Sequence, residues 1–195
     1  MIVGVLALQG AFKEHEQILE KCALEAVQIR KPEELKQIDG LIIPGGESTT
    51  IGKLIEDYNL LKPIKEKAAH GMPIFGTCAG LIMLAKDVEG SKQSRLGLMD
   101  IVVRRNGFGR QVDSFETDLS IDALGKAPYR GIFIRAPYVL SVKPNVGILA
   151  EFDGKIVFVR QGNFLGAAFH PELTDDLRIH LYFKQMIEDA KSVTL

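Results

Sequence analysis

Residues 75–86, FGTCAGLIMLAK, place a single cysteine among small residues at the junction of two apolar segments. The short apolar run at Pro73–Phe75 predicts a buried β-strand, and the longer run after it predicts a helix from about Ala79 to Lys86. A strand that turns directly into a helix is the unit from which parallel α/β sheets are built. This stretch therefore points to an α/β fold.

The rest of the first half also alternates strands with helices. Apolar runs predict strands at Ile2–Leu8, Ala26–Ile29 and Leu41–Ile43, with an amphipathic helix between the first two. Ser48–Thr50 is predicted to cap the helix that follows the third strand. The alternation predicts three layers, in which a mostly parallel central sheet is covered by helices on both faces.

The second half is richer in strands and ends in a helix, which Thr174 is predicted to cap. Asp153-Gly154 has the composition of a hairpin turn. Because no repeat, low-complexity segment or linker interrupts the chain, residues 1–195 are predicted to form one domain. The predicted strands of this half are Ile101–Arg104, Phe115–Leu119, Ile132–Ile134, Val146–Glu151, Ile156–Arg160 and Phe164–Phe169.

The composition excludes several classes of protein. The 195 residues are 46% hydrophobic and 25% charged, with a net charge of −1, so a large nucleic-acid surface is not expected. No apolar run approaches the roughly 20 residues of a membrane span, and the first ten residues lack the features of a signal peptide. Two cysteines are too few for a disulfide framework, so a cytoplasmic protein with reduced thiols is expected.

The pattern Gly76-x-Cys78-x-Gly80 has the form of the nucleophile elbow, with Cys in place of Ser. Such a turn strains the backbone of the nucleophile, which requires small neighbours. The helix dipole at the turn favours a thiolate, and the amide of Ala79 would face the oxyanion of a tetrahedral intermediate. A buried structural cysteine in a glycine-containing turn is the alternative that this motif alone leaves open.

Two further segments that carry candidate catalytic groups follow predicted strands. In 169–172, residues two apart project to the same side of an extended chain, so the Glu172 carboxylate would orient the His170 imidazole. In 44–47, two glycines allow the backbone to approach a substrate, and Gly46 would offer a second oxyanion amide. Because ligands of parallel sheets bind at the carboxyl ends of strands, these segments are expected to form one site with Cys78.

Other chemistries fit less well. A phosphate loop would need a lysine after the glycines, and a zinc deaminase would need a Cys-x-x-Cys pair, and the chain has neither.

Cys22 and His15 lie on the apolar stripe of the first helix and are predicted to be core residues, whereas His180 is predicted to be solvated. The loop Arg104–Arg110 is predicted to be solvated too, and Arg135 ends a strand where it could bind a substrate carboxylate.

Together these segments resemble the triad-type (class I) glutamine amidotransferases, whose fold is flavodoxin-like. Further motifs narrow the resemblance to the glutaminase subunits of pyridoxal 5'-phosphate synthases, and it runs essentially end to end. The motifs are LQG at 8–10, PGGESTT at 44–50, FGTCAGL at 75–81, RN at 105–106, FGRQVDSFE at 108–116, FIRAP at 133–137 and FHPELT at 169–174.

The resemblance implies a role for each site residue. Cys78 would attack the side-chain amide of L-glutamine, His170 would be the general acid–base, and Glu172 would be its carboxylate partner. Gly46 and Ala79 would supply the oxyanion amides, and Gln9 would help to order the site when a partner docks. The implied substrate-binding residues are Gly46, Glu47, Ser48, Arg105, Ile134 and Arg135.

The resemblance also implies a partner. Ammonia would pass to a separate synthase subunit, a (β/α)₈ barrel, that builds pyridoxal 5'-phosphate. No cofactor and no metal ion is implied for this chain, and no nucleic acid or membrane.

Three other functions agree less well with the sequence. The glutaminase subunit of imidazole glycerol phosphate synthase shares the chemistry, but the stretches at 45–49 and 105–111 argue against it. A cysteine hydrolase with peptidase or deglycase activity often places a histidine directly after the nucleophile, where this chain has Ala79. A binding module that has lost catalysis is disfavoured because Cys78, His170 and Glu172 are all present.

Overall fold

The computed structural model describes residues 1–109 and 113–193, so Arg110, Gln111 and Val112 of the predicted loop motif lie outside the described residues. Short 3-10 helices occupy Pro32–Gln37, Asp122–Leu124 and Pro171–Leu173. The α-helices of the described residues are α1 (Phe12–Lys21), α2 (Ser48–Asp57), α3 (Leu61–Ala69), α4 (Ala79–Leu84) and α5 (Arg178–Val193). The strands there are β1 (Ile2–Leu6), β2 (Glu25–Ile29), β3 (Gly40–Ile43), β4 (Ile74–Thr77), β5 (Ala85–Val88), β6 (Met99–Arg104), β7 (Ser114–Leu119), β8 (Tyr129–Ile134), β9 (Tyr138–Val142), β10 (Gly147–Phe152), β11 (Lys155–Gln161) and β12 (Phe164–Ala167).

The main sheet has two halves of different character. Strands β2, β1, β3, β4 and β12 lie side by side in that order and run parallel. Beyond them β11, β9 and β6 pair antiparallel, β10 pairs with β11, and β5 adds a parallel edge beside β6. The predicted α/β class is confirmed, with the parallel pairing concentrated in the half that holds the strand-to-helix turns.

Neighbouring residues of β4 show how the sheet is covered on two faces. Phe75 packs against Phe183 of α5 and lies edge-on to His15 of α1, so these two helices cover one face. Gly76 points to the opposite face, because side chains alternate along a strand, and there it meets Gly80 of α4. Helices therefore cover both faces of β4, as the alternating pattern predicts. Within the described ranges, no helix is long and apolar enough to cross a membrane.

Several elements differ from the prediction because pairing between distant segments decides them. The predicted helix through Lys86 ends at Leu84, and Ala85–Val88 forms β5 beside β6. Strand β9 and helix α3 were not predicted. The predicted strand Phe115–Leu119 forms, but it pairs with β8 in a separate two-stranded sheet. The predicted hairpin turn at Asp153-Gly154 is confirmed between β10 and β11.

Two predicted helix caps were wrong. The cap of α2 is Glu47, whose carboxylate accepts the backbone N–H groups of Thr49 at 3.1 Å and Thr50 at 2.8 Å. Thr174 follows a 3-10 helix and lies four residues before α5. Asp176 is placed at the start of α5 instead, where its Oδ1 accepts the Arg178 N–H at 3.1 Å. In both places a carboxylate takes the position because it binds exposed N–H groups more strongly than a hydroxyl does.

Candidate active site

Cys78 lies at the turn between β4 and α4 in a strained backbone conformation, with φ 49° and ψ −102°. Its N–H donates to the Ala167 carbonyl of β12 at 2.8 Å, which ties the turn to the neighbouring parallel strand. A Cβ at Gly76 would overlap the backbone of Gly80, and a Cβ at Gly80 would overlap the carbonyl oxygen of Ile43. The strain is carried by Cys78 itself, and the two glycines provide the space in which the turn fits.

His170 and Glu172 follow β12 and lie behind Cys78. The Nδ1 of His170 is 2.7 Å from the Oε1 of Glu172, and both residues are buried. Burial opposes protonation of His170, but the adjoining Cys78 and Glu172 side chains outweigh it and raise the pKa of His170 to about 10. Burial likewise opposes ionisation of Glu172, yet His15 and His170 hold its pKa below the ordinary value. The predicted side-by-side placement of His170 and Glu172 is confirmed.

The loop after β3 packs against the same histidine. A Cβ at Gly45 would overlap the ring of His170, so only glycine allows this approach. The carbonyl of Gly45 accepts the Ala11 N–H at 3.0 Å, and the side-chain oxygen of Gln9 accepts the Glu47 N–H at 2.8 Å. The segment that begins α1 therefore holds the loop in place, and Gln9 contacts it directly.

A cavity of about 440 Å³ opens in front of Cys78. Every residue that the resemblance assigns to the oxyanion or to glutamine lines it, together with Cys78 and His170, while Glu172 lies behind His170 and Gln9 behind the loop. Ile82 and Asn106 also line it and were not assigned a role. The lining residues are Gly46, Glu47, Ser48, Cys78, Ala79, Ile82, Arg105, Asn106, Ile134, Arg135 and His170.

The cavity walls differ in how firmly their polar groups are held. Burial opposes ionisation of Glu47, but together the hydrogen bonds from Thr50 and Thr49 outweigh it and lower the pKa of this carboxyl to about 2, so it stays ionised. Arg105 donates from Nη1 to Gln93 Oε1 at 2.8 Å. The side chain of Arg135 is 78% exposed, and the thiol of Cys78 donates to the Ile134 carbonyl at 3.8 Å.

Gln93 supports two residues of the cavity wall, and the sequence analysis did not predict this. Its Oε1 accepts from Arg105 and, at 3.4 Å, from the hydroxyl of Ser48, so it joins two walls of the cavity. Gln93 lies in an irregular segment far from every predicted motif, and no local signal marks it. Asn106 was part of a quoted motif, and its positive φ of 48° follows the preference of asparagine for that region.

Behind the triad lies a pair of buried histidines. His15 is a core residue as predicted, but the prediction of a solvated His180 was wrong, because both side chains are fully buried. The His15 Nδ1 and the His180 Nε2 are 3.1 Å apart. Burial lowers the pKa of His15 and, more strongly, that of His180, so both rings are neutral. The helix period alone places His180 at the margin of the stripe, and its partner on α1 decides that it turns inward.

The arrangement places a cysteine thiol beside a histidine that is hydrogen-bonded to a carboxylate, and these are the groups that acyl transfer through a covalent intermediate requires. Within the described residues, no group of three or more His, Cys, Asp or Glu side chains is placed to hold a metal ion.

Comparison with known proteins identifies the family. The model of the SNO glutamine amidotransferase family matches residues 5–189. A relative from Carboxydothermus hydrogenoformans, named pyridoxal 5'-phosphate synthase subunit PdxT, is 62% identical over 187 residues, covering 96% of this chain and 98% of that protein. The protein of the same name from Bacillus velezensis is 53% identical over 194 residues, covering 100% of this chain and 98% of the relative.

A solved structure described as a crystal structure of glutamine amidotransferase is 46% identical to this chain. It superposes with a TM-score of 0.92 and covers 96% of this chain and 100% of that one. Because the family model and these relatives match almost end to end, the chain belongs to the SNO glutamine amidotransferase family.

Proposed function

We propose that this chain hydrolyses L-glutamine to L-glutamate and ammonia, and that it supplies the ammonia to a synthase subunit that makes pyridoxal 5'-phosphate. The observation that carries the proposal is that Cys78 and His170 line one cavity, with Glu172 hydrogen-bonded to His170 behind it, in a chain whose relatives are named as subunits of that synthase. We further propose that residues 1–195 act as one cytoplasmic glutaminase domain and that the partner is a (β/α)₈ barrel.

The first half of the reaction forms a covalent intermediate. The Cys78 thiolate attacks the side-chain carbonyl carbon of glutamine, and the amides of Gly46 and Ala79 stabilise the oxyanion that results. The protonated His170, oriented by Glu172, gives its proton to the departing nitrogen, since ammonia is otherwise a poor leaving group. A γ-glutamyl thioester on Cys78 and free ammonia result.

The second half regenerates the enzyme. His170, now neutral, takes a proton from water, and the hydroxide attacks the thioester carbonyl. Cleavage of the carbon–sulfur bond releases glutamate and the Cys78 thiolate. These steps need no metal ion and no organic cofactor. Glutamine would be held by Glu47, Ser48, Arg105, Ile134 and Arg135, which line the cavity around the thiol.

A glutaminase assay with and without the synthase subunit tests the proposal. We expect Cys78→Ala to lower the release of glutamate by about 10³-fold or more, because the covalent route is lost. Cys22→Ala is the matched control, since it removes the only other thiol, at the end of α1, and should retain activity. Undiminished release by Cys78→Ala would overturn the mechanism.

The second arm of the assay concerns the partner. Because Gln9 and Ala11 hold the Gly45–Glu47 loop, docking near this segment would reach the oxyanion site directly. We therefore expect the isolated chain to be a poor glutaminase that the synthase subunit activates. Equal rates with and without the synthase would contradict this regulation and leave the chemistry of Cys78 standing.

A further inference from the structure

Buried polar side chains continue the line of the triad behind Glu172. One carboxylate oxygen, Oε1, contacts His170, but the other, Oε2, is buried and has no hydrogen-bond partner within normal distance among the described residues. The Nε2 of His15 lies 3.5 Å from Oε2. The carboxylate therefore faces an imidazole on each side, and only one of these two contacts is already part of the proposed mechanism.

His15 is held in this position by two other elements. Its Nε2 is 3.1 Å from the hydroxyl of Thr77, the residue before Cys78 on β4. Its Nδ1 is 3.1 Å from the Nε2 of His180 on α5. The ring is fully buried and also lies edge-on to Phe75. Helix α1, strand β4 and helix α5 thus fix one imidazole against Glu172.

The contacts select one tautomer for each ring. A buried carboxylate oxygen needs a donor, so the Nε2 of His15 carries the proton and its Nδ1 is an acceptor. His180 must then donate from its own Nε2, which leaves its Nδ1 as a buried acceptor without a partner. The opposite tautomers would direct the lone pair of the His15 Nε2 at a carboxylate. His180 therefore donates to the Nδ1 of His15, and the Nε2–H of His15 faces both the hydroxyl of Thr77, at 3.1 Å, and the Oε2 of Glu172, at 3.5 Å.

We propose that His15 is a positioning residue of the triad: its Nε2–H faces the second oxygen of Glu172 and keeps the carboxylate aligned on His170, while His180 fixes the tautomer of His15. The proposal rests on the proposed function, because it assigns Glu172 to the orientation of His170.

The surrounding charges agree with this assignment. The titratable groups near His15 are Glu172 and His170 after β12, His180 on α5, and Glu14 on its own helix. Without the His15 donor, the buried Oε2 of Glu172 would lose the imidazole N–H group that faces it. Such a carboxylate would take up a proton more readily and would hold the imidazolium of His170 less firmly.

Two amide variants form a matched pair for the test. His15→Gln places an N–H about where the Nε2–H of histidine lies, whereas the shorter His15→Asn leaves that place empty. Both are compared with the unmodified chain in the complex with the synthase subunit, by kcat and KM for glutamine. In a Cys22→Ser background, iodoacetamide reacts with Cys78 alone, so the pH profile of alkylation reports the Cys78–His170 pair directly.

We expect His15→Asn to lower kcat about ten- to hundredfold with little change in KM and to shift the alkylation profile. His15→Gln should keep kcat and the profile close to those of the unmodified chain. Leu19→Ala, which removes a buried apolar side chain from the same helix, controls for lost stability and should leave the alkylation profile unchanged.

Equal kcat values and equal alkylation profiles for the two amide variants would overturn the role of His15. If His15→Asn did not fold, failure of His15→Gln to keep the unmodified profile would overturn it as well. Cys78→Ala separates this outcome from failure of the proposed function, since only the latter predicts glutamate release without the thiol.

Discussion

Cys78 combines a strained backbone with the role of nucleophile that we propose for it. A non-glycine residue at φ 49° and ψ −102° costs about 1–3 kcal/mol, and the structure retains it because the turn is bonded to β12. The side chain thereby stands at the floor of the cavity. Other residues hold the cavity walls in place without lining the cavity themselves. Gln93 is one of them, because it accepts hydrogen bonds from Arg105 and Ser48.

We expect Gln93→Ala to raise KM for glutamine about tenfold with kcat within about twofold. The substitution removes the acceptor that holds the guanidinium of Arg105, a hydrogen bond to a charged group whose loss costs ~1.5 kcal/mol. Steady-state kinetics in the presence of the synthase measures both constants. Lys92→Ala, at the exposed neighbouring position, is the control, and an unchanged KM for Gln93→Ala would show that Arg105 holds its place without Gln93.

At the scale of elements, the short helix α4 packs unusually close to the sheet. Gly76 of β4 and Gly80 of α4 face each other without side chains, and Gly80 also lies against the Ile43 carbonyl of β3. This contact brings the end of β3, with its glycine loop, beside the turn at Cys78. The distance between Cys78 and the Gly45–Glu47 loop therefore depends on how tightly α4 is packed.

We expect Gly80→Ala to lower the free energy of unfolding by about 2 kcal/mol or more, because the new methyl group overlaps a backbone oxygen that cannot move aside. Alanine would otherwise favour the helix by ~1 kcal/mol, so the sign of the change separates packing from helix propensity. Urea unfolding of Gly147→Ala is the control, since a Cβ there meets nothing closer than 3.6 Å. Stabilisation by Gly80→Ala would mean that α4 can shift outward.

At the scale of the whole molecule, the core joins two helices and the sheet through buried histidines. His15 on α1 and His180 on α5 approach each other across Phe75 of β4, and all three side chains are buried. A mostly apolar core that contains two neutral imidazoles is sensitive to acid, because either protonation would place an uncompensated charge inside it.

The free energy of unfolding should fall as the pH drops below about 6.5. Both histidines have a lowered pKa in the folded chain, so the unfolded chain binds their protons first, and stability rises with pH wherever the unfolded state binds more protons. Each neutral histidine contributes a slope of about 1.4 kcal/mol per pH unit below 6.5. Chemical unfolding between pH 6.5 and 5 measures the slope, because above pH 6.5 the raised pKa of His170 acts in the opposite direction, and His180→Phe should reduce the slope. The same slope in that variant would place the acid sensitivity elsewhere.

The sequence by itself determined the parallel half of the fold and indicated the reacting groups that we propose. The elbow at Cys78, the glycines before α2 and the pair His170–Glu172 are local patterns, and their positions after β4, β3 and β12 bring them to one edge of the sheet. Local periodicity was enough here because a buried parallel strand and an amphipathic helix each have a characteristic spacing of apolar residues.

Only the tertiary structure decided the supports of the site. Whether Ala85–Val88 is a helix or a strand depends on β6, and whether His180 is solvated or buried depends on His15, 165 residues away in the chain. The hydrogen bond from Arg105 to Gln93 likewise depends on how the folded chain brings the two residues together. These contacts join segments that are distant in sequence, and their energies come from pairing and burial in the folded chain, which no local pattern of residues records.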